Sequence, residues 1–228
     1  LFPMVSAIWS MPPYQANKMP LQFFLKFFQN HGLFKLKNRP QWYTVSNRSR
    51  TYVNKILNKI SGEYYKNYKI NLIKRHKENI EIFYGEKNEF FSYDKVVIAT
   101  HADEALSILE NPTEDEKILL SNFKYKKNLA IIHTDNNQMP RNKKAWSAWN
   151  AKLNKNVREN SSVTYWLNLL QNLKIDEDIF LSLNPFDRID EQKILNKVTF
   201  THPYYDKLAL ENQIELKKLQ NVNNTLFC

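Results

Sequence analysis

The sequence predicts a mixed α/β fold, and three observations lead to that prediction. Apolar residues recur with the helical period of about 3.6 over residues 21–36 and 50–60. After Gly62 the period changes to about two, which is the period of a strand with one buried face. Residues 96–99, Val-Val-Ile-Ala, form a continuous apolar run that is typical of a strand buried on both faces.

Two helices are predicted in the first sixty residues. The prolines of residues 1–20 favour extended or turning backbone before the first helix. In residues 21–36 leucine and phenylalanine recur at helical spacing, Pro20 suits the helix entry, and Gly32 suits its end. The helix over 50–60 carries its apolar residues on one face.

A small β-meander and two further helices are predicted next. Helix 101–109 follows the last strand, and Pro112-Thr113 opens another helix. Its first turn is acidic, which suits the positive end of a helix dipole. The predicted strands of this region are residues 70–75, 80–84, 90–93 and 96–99.

A second sheet and a last helix are predicted beyond residue 124. Residues 136–160 are a polar, basic connection between strands, and residues 205–219 form the final helix. The predicted strands of the second sheet are residues 129–133, 163–168, 180–184 and 198–201.

The glycine count excludes one kind of nucleotide site. Only Gly32, Gly62 and Gly85 are present in 228 residues, and they are far apart. A GxGxxG or Walker loop needs several glycines within a few residues, because its backbone closely approaches a phosphate. These residues therefore hold no phosphate loop of their own, and we expect asparagine to occupy some left-handed turns in place of glycine.

Composition narrows the class of protein further. The chain is 43% hydrophobic and 14% aromatic, which excludes a disordered protein. No apolar run is long enough to span a bilayer, although peripheral contact with a membrane stays open. The single cysteine, Cys228, permits no internal disulfide, so a reducing, cytoplasmic location is expected. The histidine spacing offers no metal-binding motif, so no metal is expected.

The net charge of +10 raises the question of nucleic acid. Lysines and Arg141 surround Trp146 and Trp149, a pattern compatible with stacking and phosphate contact. The positive charge is nevertheless spread through the chain, and a solvated basic loop with buried tryptophans explains the pattern more simply. The expected partner is a small-molecule substrate and not nucleic acid.

Several strings, taken together, resemble the flavin-containing amine oxidoreductase superfamily, in a bacterial branch of predicted NAD/FAD-binding proteins. Their order and spacing hold along essentially the whole chain. The strings are Pro3-Met4, Ala7–Ser10, Phe27–Leu33, Pro40–Trp42, Ser49–Val53, Asp94–Leu106, His133–Asp135, Met139–Arg141, Trp146–Asn150, Val163–Asn168, Leu170-Gln171, Leu183–Pro185 and His202-Pro203.

The resemblance implies an internal fragment of an FAD-dependent oxidoreductase. Family members begin with a glycine-rich loop and end with an FAD-contacting segment, and neither is found in these residues. The resemblance divides the chain into substrate-domain helices (1–60), part of the FAD-binding domain (61–105), and a substrate domain with a mixed sheet (106–228). The implied reaction transfers a hydride from an amine or lipid-like substrate to flavin, and the fragment alone is expected to be inactive.

The resemblance also implies site residues, although no catalytic residue can be assigned. Those expected near FAD are Ser49, Arg50, Ile70, Ala99, Thr100 and His101. Those expected near a substrate pocket are the aromatic residues Trp9, Trp146, Trp149, Tyr165 and Trp166, together with His133 and Asn168. Ordinary packing in the core is the competing interpretation for each aromatic residue.

One departure from the family pattern keeps two alternatives open. Asn47 and Arg48 stand where the family has two glycines before Ser49 and Arg50. Arginine resists the left-handed backbone that glycine adopts. The chain could therefore be a degenerate homologue that has lost flavin, or a non-catalytic basic module that binds nucleic acid or an anionic surface.

Overall fold

The computed structural model describes residues 2–9, 16, 18–86, 89–152 and 162–228. The chain forms two compact units, each assembled from two segments. Unit 1 comprises residues 1–30 and 125–207, and unit 2 comprises residues 31–124 and 208–228. The prediction of a mixed α/β fold is confirmed, whereas the assignment of functions to the ranges 1–60, 61–105 and 106–228 stays a prediction.

In its described residues, unit 1 contains short α-helices and a five-stranded sheet. The sheet has the strand order β6-β7-β8-β5-β9, and its β6–β7, β7–β8 and β8–β5 pairs are antiparallel. The helices are α1 (Phe2–Trp9), α2 (Leu21–Asn30) and α6 (Leu167–Leu170), and the strands are β5 (Lys124–His133), β6 (Trp149–Lys152), β7 (Ser162–Trp166), β8 (Phe180–Leu183) and β9 (Ile194–Tyr204).

Three sequence predictions in unit 1 were wrong. Residues 2–9 are helical and not extended, because a proline in the first turn of a helix blocks no hydrogen bond. The first predicted helix ends at Asn30 instead of residue 36, since Gly32 leaves the helix at φ 63°. A Cβ at Gly32 would lie 2.8 Å from Cδ of Pro40, so the position requires glycine. Strand β6 lies inside the region predicted as a connection, whose residues 153–160 are outside the described residues.

Unit 2 contains a three-stranded antiparallel meander and a separate parallel strand pair. Strand β4 pairs in parallel with β10, from Val96 opposite Thr225 to Ile98 opposite Phe227. The helices are α3 (Ser49–Leu57), α4 (Ala102–Ile108), α5 (Glu114–Ser121) and α7 (Lys207–Glu215), which begins at the unit boundary, and the strands are β1 (Ile70–Arg75), β2 (Ile80–Tyr84), β3 (Glu89–Tyr93), β4 (Val96–Ile98) and β10 (Thr225–Phe227). Strand β10 was not predicted, whereas the bounds predicted for β1 and β2 match the structure.

One hydrophobic core joins the meander to the parallel pair. Ile73 and Ile80 of the meander pack with Ile98 of β4 and Ala105 of α4. The meander is also held by charge, because both Nη atoms of Arg75 donate to the Glu116 carboxylate of α5, at 2.5 and 2.9 Å. These contacts fix the residues that follow β4 relative to the start of β1.

Asparagine replaces glycine at the left-handed turns, as predicted. Among the described residues, nine positions other than glycine have a positive φ, and eight of them are asparagine. The ninth is Arg48, whose φ is 69° and whose ψ is −176°. That combination belongs to a region of backbone space that is essentially restricted to glycine.

Candidate functional site

Three of the residues expected near FAD follow the parallel strand β4. Ala99 and Thr100 are exposed, and His101 is half-buried at the N-cap position of α4. The backbone N–H of Ala105 donates to the His101 carbonyl at 2.7 Å, which closes the first helical turn. These residues therefore occupy the carboxyl end of a parallel strand at the start of a helix, where α/β proteins commonly bind nucleotides.

Ile70 borders the same core as this strand end. It begins β1, is half-buried, and packs against the core cluster that contains Ile98 and Ala105. The structure therefore brings Ile70 and the end of β4 onto one core within unit 2. Ser49 and Arg50 lie elsewhere in the unit, as the first two residues of α3, and both are exposed.

The turn before α3 keeps the backbone of the expected glycine pair. Asn47 has φ 60° and Arg48 has φ 69°, so both residues are left-handed. The Thr51 hydroxyl donates to the Asn47 carbonyl at 3.1 Å, and the Thr51 N–H donates to the Arg48 carbonyl at 3.2 Å. Both positions therefore have the positive φ that glycine adopts readily.

Three of the pocket candidates form one packed layer in unit 1. His133 and Trp166 both lie opposite Phe180 in the antiparallel register, so all three side chains share one face of the sheet. The Trp146 ring meets Trp166 edge-on at 5.3 Å and Phe180 at 5.6 Å between centroids. Both indole N–H groups are satisfied, by the Pro140 carbonyl and the Asp178 carboxylate. This layer has the properties of a structural core.

His133 is completely buried, and its hydrogen bonds define its protonation state. Its Nδ1 accepts from the Asp135 N–H at 3.1 Å, so the proton of the neutral ring is on Nε2. Nε2 donates to Ser182 Oγ at 2.8 Å, and the Ser182 hydroxyl is 2.8 Å from Thr164 Oγ1. Burial lowers the pKa of His133 below its ordinary value, although the nearby Asp135 carboxylate opposes that change.

The other face of the sheet presents an accessible aromatic pair. Trp149 lies opposite Tyr165 in the register, and their rings meet edge-on at 5.1 Å. Trp149 is 46% exposed, whereas Tyr165 is half-buried, and burial raises the pKa of its hydroxyl. The predicted pocket residues are thus divided between two faces, because neighbouring residues of a strand point to opposite sides.

The remaining two candidates lie apart from both faces. Trp9 of α1 contacts Phe27 at 4.7 Å and Phe23 at 5.8 Å between ring centroids. Asn168 closes a loop, because its amide donates to the Glu177 carbonyl at 2.8 Å and its oxygen accepts from the Ile179 N–H at 2.7 Å. All polar atoms of the Asn168 side chain are therefore used for structure.

Unit 1 also contains a cavity that the sequence did not indicate as one site. Its volume is about 700 Å³, and Trp146 is the one predicted pocket residue on its wall. Lys152 forms an ion pair with Asp187, whereas Arg141 is an exposed cationic residue of the lining. The full lining is Asn136, Asn137, Met139, Pro140, Arg141, Trp146, Lys152 and Asp187. Among the described residues, no group of three potential metal ligands comes together.

Comparison with solved structures identifies the architecture. A protein from Exiguobacterium sp. 255-15, provisionally named a protoporphyrinogen oxidase, matches 99% of this chain with a TM-score of 0.64 at 9% identity. A fatty acid isomerase from P. acnes that produces CLA matches 79% of the chain with a TM-score of 0.53 at 12% identity. A putrescine oxidase variant with redesigned cofactor binding matches 79% with a TM-score of 0.52 at 7% identity.

The chain shares their fold. It spans 57%, 46% and 46% of the lengths of these three structures, respectively. No protein-family profile matches the sequence, and no curated protein matches it. No helix in the described part of the chain is both long and apolar enough to cross a membrane.

Proposed function

We propose that this chain is part of an FAD-dependent oxidoreductase of the amine-oxidase type, which transfers a hydride from an organic substrate to flavin. The observation that carries the proposal is the arrangement of unit 2. There, Ala99–His101 follow a parallel strand at a helix N-terminus, and the meander that begins at Ile70 packs on the same core. The shared fold of two named oxidases supports it.

The residues present fit a dinucleotide. Ala99 is small and exposed, so a flat cofactor can approach the backbone there. The Thr100 hydroxyl donates to the His101 carbonyl at 3.2 Å, and its oxygen can still accept a hydrogen bond. The left-handed turn at Asn47 and Arg48 also removes the backbone objection to a cofactor beside Ser49. We therefore assign FAD contacts to Ser49, Arg50, Ile70 and Ala99–His101.

In such a site flavin supplies the hydride acceptor, and the protein supplies orientation and a dry cavity. Trp149 and Tyr165 form an accessible aromatic pair, but they lie on the face of the sheet opposite Trp166 and do not line the cavity beside Trp146. His133 holds its proton toward Ser182 inside the sheet, so its role is structural. Trp146 lines the cavity of unit 1, and Trp166 packs against it edge-on.

The cavity beside Trp146 favours a substrate with an anionic end over a diamine. The Asp187 carboxylate is already paired with Lys152, whereas the Arg141 guanidinium is exposed within the lining. Met139 and Trp146 offer apolar surface beside that cation. A carboxylate on an apolar chain matches this combination better than two ammonium groups do.

The absorbance spectrum of the protein purified from its complete reading frame tests the proposal. We expect flavin bands, and we expect Ala99→Arg to reduce flavin content because a long side chain would fill the approach to the backbone. Ile118→Ser, at an exposed site on α5, is the matched control and should leave the flavin content unchanged. A colourless, folded protein would favour the degenerate homologue.

Anaerobic mixing tests the substrate class. If flavin is bound, a fatty acid should bleach the flavin absorbance, and a diamine should not. Arg141→Gln should raise the fatty acid concentration that is needed to bleach the flavin, without changing the flavin content of the protein. If the diamine reduces the flavin and the fatty acid does not, the cavity would be assigned to a diamine substrate instead.

A further inference from the structure

One segment of unit 2 combines positive charge with exposed apolar side chains. Residues 35–60 contain seven cationic residues and no aspartate or glutamate, and all seven cations are exposed. No ion pair joins any of them to a described carboxylate. They are Lys35, Lys37, Arg39, Arg48, Arg50, Lys55 and Lys59. We call residues 35–60 the basic–apolar segment.

The apolar side chains of this segment are unusually exposed. Leu36 and Tyr43 are each 89% exposed, and Trp42 is 65% exposed. Helix α3 contains no buried residue. Tyr52, Val53 and Ile56 form an exposed stripe at helical spacing, which Ile60 continues beyond the helix end. Such a surface costs free energy in water unless another apolar phase covers it.

We infer that the basic–apolar segment docks on an anionic lipid surface. Tryptophan and tyrosine are enriched where a membrane meets water, because their rings have an apolar body and a polar edge. Aliphatic side chains of an amphipathic helix insert at the acyl boundary, while lysine and arginine attract anionic headgroups. The docking surface comprises the other six cations and the exposed apolar side chains of the segment, because Ser49 and Arg50 are assigned to the cofactor.

Two other occupants fit the segment less well. Nucleic acid would use the cations and the rings, but it offers no apolar phase for Leu36, Val53, Ile56 and Ile60. A second copy of the chain would cover the apolar side chains, but a two-fold contact would bring the same cations together. Of these three occupants, an anionic lipid surface complements both properties, and the inference holds whether or not flavin is bound.

Vesicle sedimentation of the protein from its complete reading frame tests the inference. We expect binding to vesicles of phosphatidylcholine and phosphatidylserine, weaker binding at high salt, and little binding to pure phosphatidylcholine. Lys35→Glu with Lys37→Glu should weaken the binding roughly tenfold or more. Leu36→Ser with Trp42→Ser should have a similar effect, whereas the exposed control Ile118→Ser should have none.

Three results would overturn the inference. Equal binding to neutral and anionic vesicles would show that the cations of the segment do not contribute to binding. Absence of binding, with slow hydrogen exchange across residues 35–60, would show that another part of the same protein covers the segment. Binding to a single-stranded oligonucleotide in preference to vesicles would assign the surface to nucleic acid. The vesicle result and the flavin spectrum are independent measurements, so either can fail without the other.

Discussion

The two units bury polar groups in opposite ways. In unit 1, His133, Ser182 and Thr164 form a neutral hydrogen-bond chain inside the sheet. In unit 2, Arg75 and Glu116 form a charged pair between β1 and α5, with 5% and 0% of their side chains exposed. Removing a partner from a neutral chain leaves one buried polar group unsatisfied, whereas a broken ion pair leaves an uncompensated buried charge, which costs more. Unit 2 is therefore expected to be the more sensitive to substitution.

The two units also differ in how their strands are assembled. The strands of unit 1 come from one stretch, residues 124–204, and form a five-stranded sheet. The parallel pair of unit 2 joins Val96–Ile98 to Thr225–Phe227 and leaves Val97 58% exposed. Parallel strands are normally buried on both faces. One face of the parallel pair in unit 2 is therefore only partly covered.

Removing the buried carboxylate should have the largest effect. Glu116→Ala leaves the Arg75 guanidinium buried without its partner, and it also removes the capping box with Thr113. We expect the free energy of unfolding to fall by about 3–5 kcal/mol. Denaturant titration measures this change. The control is Glu114→Ala, which removes an exposed ion pair with Lys117 and should have little effect; equal losses from both variants would contradict the comparison.

Breaking the neutral hydrogen-bond chain should lower the free energy of unfolding by less than removing Glu116. Ser182→Ala leaves Nε2 of His133 without an acceptor in a completely buried site. The expected loss is about 1–3 kcal/mol, again by denaturant titration. Ser107→Ala removes an exposed hydroxyl that donates to the Glu104 carbonyl, and it serves as the control. A loss larger than that of Glu116→Ala would reverse the ranking of the two units.

The pH dependence of stability should distinguish the two clusters. His133 has a pKa below 6.5 in the folded protein because it is buried. Below pH 6.5 the unfolded chain therefore binds a proton that the folded protein does not, and stability falls as the pH is lowered further. Glu116 remains ionised to lower pH, because burial, which raises its pKa, is outweighed by the bonds to Arg75 and Thr113. Its contribution is lost only as the pH falls through that lowered pKa.

Thermal unfolding at a series of pH values measures both contributions. His133→Gln should remove the decline that begins near pH 6.5 and should leave the acidic decline in place. If the variant and the parent protein lose stability in parallel between neutral pH and pH 6, His133 is not the titrating group.

Much of the fold could be predicted from local pattern, and the failures have two causes. Strands β1 and β2 were predicted because a meander has period-two alternation between clear turns. The helix at Phe2–Trp9 was not predicted because proline was expected to interrupt a helix. A proline in the first turn of a helix does not interrupt it. Strands β6 and β10 were missed because each is short and defined by a partner elsewhere in the sequence.

The candidate site was less predictable than the fold. The sequence named Trp146, Trp149, Tyr165 and Trp166 as one group, but the register divides them between two faces of the sheet. The alternation of β7 could have separated Tyr165 from Trp166 in advance. The position of Trp149 depended on β6, which was not predicted, so no local signal could have placed it.

The smallest expected effect concerns Arg48, one of the two residues that stand where the resemblance predicts glycine. Its φ of 69° and ψ of −176° lie in a region that costs a residue with a Cβ about 1–3 kcal/mol. Arg48→Gly should relieve that strain, although the greater flexibility of unfolded glycine offsets part of the gain. We therefore expect stability to rise by about 1 kcal/mol. Arg50→Gly makes the same chemical change inside α3, where helical backbone carries no such strain, and should lower stability by a similar amount. Opposite signs for two arginines separated by one residue would show that the backbone at position 48 favours glycine.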